Sequence, residues 1–122
     1  MTDEITTLEG TSVFLLANDG DVISSIDDFM DPLGNAAYSG ATWVIIPTSR
    51  LAPEFFELRT KLAGEILQKL VNYNVKCAIV GDISAHVAKS SALRDFVYEC
   101  NNGQHVRFVE TTDQLTSELA DG

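Results

Sequence analysis

Cysteine is scarce in this chain of 122 residues: there are two, Cys77 and Cys100, and neither belongs to a Cys-x-x-Cys pair. That excludes a disulfide scaffold and the paired-thiol zinc and redox motifs. Cys77 lies in the apolar run Cys77-Ala78-Ile79-Val80 and Cys100 on the apolar side of a predicted helix, so both are expected to be buried, reduced thiols. The two histidines, His86 and His105, lack ligand spacing, and no metal or cofactor is expected. No apolar run approaches the ~18 residues of a membrane-spanning helix. The first twenty residues carry acids but no Lys or Arg, unlike a secretory signal or transit peptide. A cytoplasmic location is therefore expected. Internal repeats, linkers and low-complexity stretches are missing too.

Basic residues are absent from both ends. Residues 1–31 hold eight acids and no base, and residues 108–122 hold four acids and no base. The middle, 32–107, holds the other six acids and all eight bases, so the formal charge of −10 resides in the terminal segments. Such a balance offers no electrostatic footprint for nucleic acid or an anionic membrane. It serves solubility, or it marks an acidic face that meets a basic protein partner. Hydrophobic residues make up 45% and charged residues 21%, enough apolar content for a core and too much for disorder. The length fits one domain over 1–122.

The hydrophobic period switches along the chain. Glu4–Glu9 and Thr11–Ala17 form a predicted hairpin turning at Gly10. Asn18-Asp19-Gly20 is a turn signal, and Asp21–Tyr38 has helical spacing that Pro32 is expected to bend or interrupt. Thr42–Ile46 and Val75–Val80 are short, continuously apolar strands, closed by Pro47 and by Gly81-Asp82. Pro53–Tyr73 is predicted to be mostly helix, as are Ser91–Asn101 and Thr112–Ala120, with a strand at His105–Val109. The order ββαβαβαβα, with fully apolar short strands, predicts a small α/β domain with a mostly parallel sheet and an N-terminal β-hairpin.

On a helical wheel over 53–73, Phe55, Leu58, Leu62, Ile66 and Leu70 share one broad apolar arc, and Glu57–Lys61 and Glu65–Lys69 are i,i+4 pairs on the other side. Arg59 falls inside the apolar arc, where an unpaired guanidinium is not tolerated. Three readings follow: an ion pair with Asp82, exposure because the helix starts later, or contact with a ligand or partner.

Three segments carry a resemblance. Pro53-Glu-Phe-Phe-Glu-Leu-Arg-Thr-Lys-Leu-Ala-Gly-Glu-Ile-Leu-Gln-Lys-Leu-Val-Asn-Tyr, Val75-Lys-Cys-Ala-Ile-Val-Gly-Asp and Leu93-Arg-Asp-Phe-Val-Tyr-Glu-Cys-Asn-Asn-Gly together resemble a family of small bacterial proteins known only as a domain of unknown function. The resemblance covers most of the chain and implies no activity. More loosely, the order of elements and Arg59-Thr60-Lys61-Leu62-Ala63-Gly64 resemble the STAS domains, the anti-sigma-factor antagonists. Thr60 then matches the Ser or Thr that a partner kinase phosphorylates, while Leu58 stands where that family has Asp and Lys61 where it has Gly. That resemblance implies a STAS-like fold and a regulatory, phosphorylation-sensitive contact. Without it, Thr60 is a helix cap or an ordinary helical Thr.

Gly-x-Gly-x-x-Gly, the P-loop and Gly-x-Ser-x-Gly are all absent. Ser84 and His86 lie close in sequence with no acid to orient them, and Glu54 and Glu57 suit a helix start. A non-enzymatic interaction module of bacterial type is therefore expected. Its face comprises Arg50, Leu51, Phe55, Arg59, Thr60 and Lys61, with Asp82 and Ser84 beside it. It predicts an exposed patch at Leu51 and Phe55. The alternative, a domain binding an anion or lipid-like molecule at the same edge, predicts a cavity under the central helix with Arg59 pointing inward. Self-association into a homodimer is a third reading.

Overall fold

The computed structural model describes residues 3–121. Strands β1 (Glu4–Leu8) and β2 (Thr11–Leu15) form the expected hairpin. Glu9 and Gly10 between them both have positive φ (48° and 76°), as a two-residue turn matched to strand twist requires. There follow α1 (Ile26–Tyr38), β3 (Trp43–Pro47), α2 (Leu62–Tyr73), β4 (Lys76–Val80), α3 (Ser84–Lys89), α4 (Ser91–Asn102), β5 (Val106–Val109) and α5 (Thr112–Asp121). The five strands lie in sequence order, β1-β2-β3-β4-β5, antiparallel at the first pair and parallel thereafter. The fold class is as expected.

Each parallel step moves one strand sideways, so right-handed crossovers place their helices on one face. The larger core fits this. Phe14, Val44, Ile46, Cys77, Ile79 and Phe108 meet Phe29 and Leu33 of α1, Ile66 and Leu70 of α2 and Leu93 of α4. A smaller cluster on the other face joins Val13, Trp43, Ile45, Ala78 and Val109 to Leu115 of α5. Burying each large side chain contributes roughly 1.5–3 kcal/mol, which places stability mainly in these two layers.

Three differences from the expected elements have physical causes. First, α1 starts at Ile26, where Ser25 caps it by accepting from the Asp28 N–H, and it runs on through Pro32, whose ring is buried in the core. Second, Pro53–Thr60 is not α-helix. It is a pair of 3-10 turns, 53–56 and 58–60, split by an extended Glu57 and ended by Lys61 in the left-handed region (φ 67°). Phe55 and Phe56 are both buried, edge to face at 5.1 Å; neighbours on an α-helix point about 100° apart, so seating both in the core favours breaking the helix. Third, Ser84–Lys89 forms an unexpected short helix, so the order is ββαβαβααβα. Among the described residues no helix is long and apolar enough to cross a membrane.

Both cysteines lack a disulfide partner, Cys77 buried and Cys100 half-buried. Burial raises the Cys77 thiol beyond its ordinary range, and burial with the nearby Glu99 charge pushes Cys100 up to about 11. Thiolate is the reactive form. A thiol reagent at neutral pH is therefore expected to label Cys100 slowly and Cys77 only after unfolding, with mass spectrometry locating the label. Rapid labelling of Cys77 in the native protein would contradict this packing.

Candidate functional site

The carboxyl ends of parallel strands are where open α/β sheets hold ligands. Here Arg50 ties the segments after β2 and β3 together, beside an open pocket of about 220 Å³ lined by Leu15, Ala17, Asn18, Pro47, Val80 and Thr112. Arg50 is 6% exposed; its Nε donates to the Asp21 carbonyl (2.6 Å), and its Nη1 to the Ala17 carbonyl (2.8 Å) and to Asp3 Oδ1 (3.0 Å). Asp3 Oδ1 also accepts the Ala17 N–H at 2.8 Å. Beside this clamp, Ile23 and Leu51 bridge in parallel, with the Ile23 N–H donating to the Arg50 carbonyl and the Ala52 N–H to the Ile23 carbonyl. Arg50 joins three distant segments and is structural, not part of an exposed face.

The expected patch is also buried: Leu51 is 7% and Phe55 3% exposed. The cavity reading fares no better, because Arg59 points outward with its side chain 84% exposed. The reason is local. The helix begins at Leu62, so Arg59 lies on the preceding 3-10 turn and never enters the apolar arc. Of the three readings of Arg59, exposure before the helix start is the one observed. Its ion partner is Glu57, at 3.5 Å, rather than Asp82. Asp82 instead accepts the Ser84 N–H at 2.9 Å, which holds its carboxyl below the usual range.

Thr60 is exposed but its hydroxyl is engaged. Oγ1 lies 2.6 Å from the Glu54 carbonyl and 2.8 Å from the Glu57 carbonyl, to which it donates, and it accepts the Leu62 N–H at 3.4 Å. It pins the two 3-10 turns to the start of α2. The cap position of α2 belongs to Lys61, which makes no side-chain cap bond. A phosphoryl group on this oxygen would replace the donated proton and face two carbonyl oxygens.

The structure assembles a different cluster. Phe56, Glu57 and Arg59 form one wall of an open groove of about 500 Å³, and His86, Lys89 and Ser90 form the other. The imidazole of His86 stacks on the Phe56 ring, centroids 4.1 Å apart and planes 8° apart. Lys89 is exposed and has no ion partner among the described residues. Ser90 accepts the Leu93 N–H to cap α4, whose first turn contains no acid. Arg59 is thus the one expected face residue on this groove. Asp82 and Ser84 line a neighbouring cleft with Gly81, Val97 and Gln114. Sequence reasoning weighed His86 only as a metal ligand or a catalytic partner of Ser84 and passed over Lys89, because α3 was not expected; their i,i+3 spacing is the signal that puts them on one face of a helix.

The arrangement holds two cationic side chains and an imidazole around a flat aromatic stack, open to solvent. It can hold an anionic group by charge and hydrogen bonds. No curated protein and no solved structure matches the chain, so the likeness to STAS domains gains no support from either comparison. A family model does match, over residues 8–119, and the chain accordingly belongs to the family described as Domain of unknown function (DUF4180).

Proposed function

We propose that the domain is a non-enzymatic protein-interaction module whose groove between residues 53–59 and the α3–α4 junction docks an acidic segment of a partner. The observation that carries this reading is the convergence of Arg59, His86 and Lys89 on one open groove in a chain of net charge −10. The pocket left at the carboxyl ends of β2–β4 is smaller, about 220 Å³, and no Lys, Arg or His lines it, so the groove is the better place for an anionic group. A second reading, a small anion held in the same groove, draws support from the acid-free first turn of α4.

Titration of the isotope-labelled protein with an octaglutamate peptide and, separately, with inorganic pyrophosphate tests both. The peptide is expected to shift amide resonances of residues 57–59 and 86–93, and Arg59→Glu with Lys89→Glu to weaken binding at least tenfold. Preferential binding of pyrophosphate would favour the second reading. Silence toward both probes at millimolar concentration would remove the groove from consideration.

A further inference from the structure

The two edges of the sheet are treated differently. On β5, alternate residues turn their backbone groups away from β4. The outward N–H of Phe108 is bonded by Asn101 Oδ1 (2.8 Å), and that of Glu110, just past the strand, by Gln114 Oε1 (3.2 Å). Side chains from α4 and α5 plug that edge. On β1, the register Glu4↔Leu15, Thr6↔Val13 and Leu8↔Thr11 provides the hydrogen-bonded pairs, because Ser12 and Leu16 of the neighbouring segment bond toward β3. Ile5 and Thr7 therefore direct their N–H and C=O groups outward. Among the described residues nothing bonds to either N–H.

An open edge is ordinarily blunted by proline, lysine or a bulge. The β1 sequence Glu-Ile-Thr-Thr-Leu contains none of these, and it pairs with β2 residue for residue. Ile5, opposite Phe14, is 46% exposed and extends the apolar surface of the sheet beyond its helices. The exposed charge along this edge is acidic: Glu4 opens the strand and Glu9 follows it, while the cation at its start, Arg50, is buried and paired with Asp3.

We infer that the outer edge of β1 accepts an extended, Lys- or Arg-bearing segment of a protein partner as a sixth strand. Main-chain hydrogen bonds to Ile5 and Thr7 supply the pairing, and the acids flanking the strand select a basic sequence. A second copy is a poor occupant. Antiparallel pairing centred on Thr6 matches Ile5 with Thr7 but sets Asp3 against Glu9, between two molecules each carrying −10. This surface shares no residue with the Arg59–Lys89 groove and stands or falls separately from it.

An acetylated octapeptide of alternating Lys and Val serves as the probe, with alternating Ser and Val as its neutral control. With the Lys peptide, amide shifts centred on Ile5 and Thr7 are expected, together with at least tenfold slower hydrogen exchange of those two amides. Binding is expected to weaken as salt rises and to be at least tenfold weaker for the Ser peptide. Thr7→Pro removes an outward N–H while leaving the inward ladder intact, and is expected to weaken binding at least tenfold. The exchange measurement on the wild type decides the matter even if that variant folds poorly. Four results would overturn the inference: no perturbation at millimolar peptide, shifts centred away from β1, equal affinity for the neutral peptide, or a wild-type dimer that a natively folded Thr7→Pro variant converts to monomer.

Discussion

Arg50→Ala is expected to lower the free energy of unfolding by about 3 kcal/mol, on the scale of breaking a buried ion pair from one side. The variant leaves the Ala17 and Asp21 carbonyls without their donor and Asp3 without its countercharge, the Ala17 carbonyl being buried and the other two partly so. A domain of this size should then melt roughly 10 °C lower. Arg50→Lys restores one charge but not a planar fork, so a single ammonium cannot replace the bonds made by Nε and Nη1 together, and about half the loss should remain. Asp3→Ala should cost about 2 kcal/mol, because it strips the buried Arg50 of its countercharge and the Ala17 N–H of its acceptor while the two carbonyl bonds stay in place. Chemical denaturation of the three variants is the measurement. A value within about 0.5 kcal/mol of wild type for Arg50→Ala would show that the clamp contributes nothing net.

The second large effect belongs to Gly81→Ala. Gly81 follows β4 at φ 147°, a backbone state that side chains rarely adopt, and a Cβ there would run into the Thr48 side chain. Strain and overlap together should cost about 3 kcal/mol or more. The two causes separate largely in Gly81→Ala with Thr48→Ala, which removes the overlap with Oγ1 and Cγ2, keeps the tighter-than-usual approach to the residue 48 Cβ at 3.0 Å, and leaves the strain. The double variant should recover part of the loss, measured against Thr48→Ala alone. Full recovery would make the effect purely steric, and no recovery purely conformational.

What could be read in the sequence follows the strength of its periodic signals. Strands β3 and β4 were legible because Trp43–Ile46 and Cys77–Val80 are unbroken apolar runs bounded by Pro47 and Gly81. The hairpin was legible from Gly10. The segment before α2 was not, because Phe55 and Leu58 fit a helical wheel that the backbone abandons at Glu57 and Lys61; adjacent burial of Phe55 and Phe56 overrode local preference. That one difference alters the expected face. Leu51 and Phe55 are core rather than surface, and Arg50 is a tie rather than a contact residue. Helix α3 was invisible because six residues containing one half-buried valine carry no measurable period. With it went His86 and Lys89, and hence the groove.

The sequential strand order also bears on how the chain reaches this state. Each strand after the first docks on the one made immediately before it, so no pairing waits for a distant later segment. Each parallel pairing still closes a crossover of 29 to 33 residues, so the domain is expected to fold between the speeds of helical bundles and of all-β sandwiches. Growth can run with synthesis: the hairpin forms first, and each strand–helix unit arriving afterwards finds its template exposed. The clamp closes early in this order, because Asp3, Ala17, Asp21 and Arg50 have all emerged before β4 begins. Helix α5 comes last and covers the second face of a sheet already complete, so Trp43 and Ile45 remain uncovered until the end of assembly.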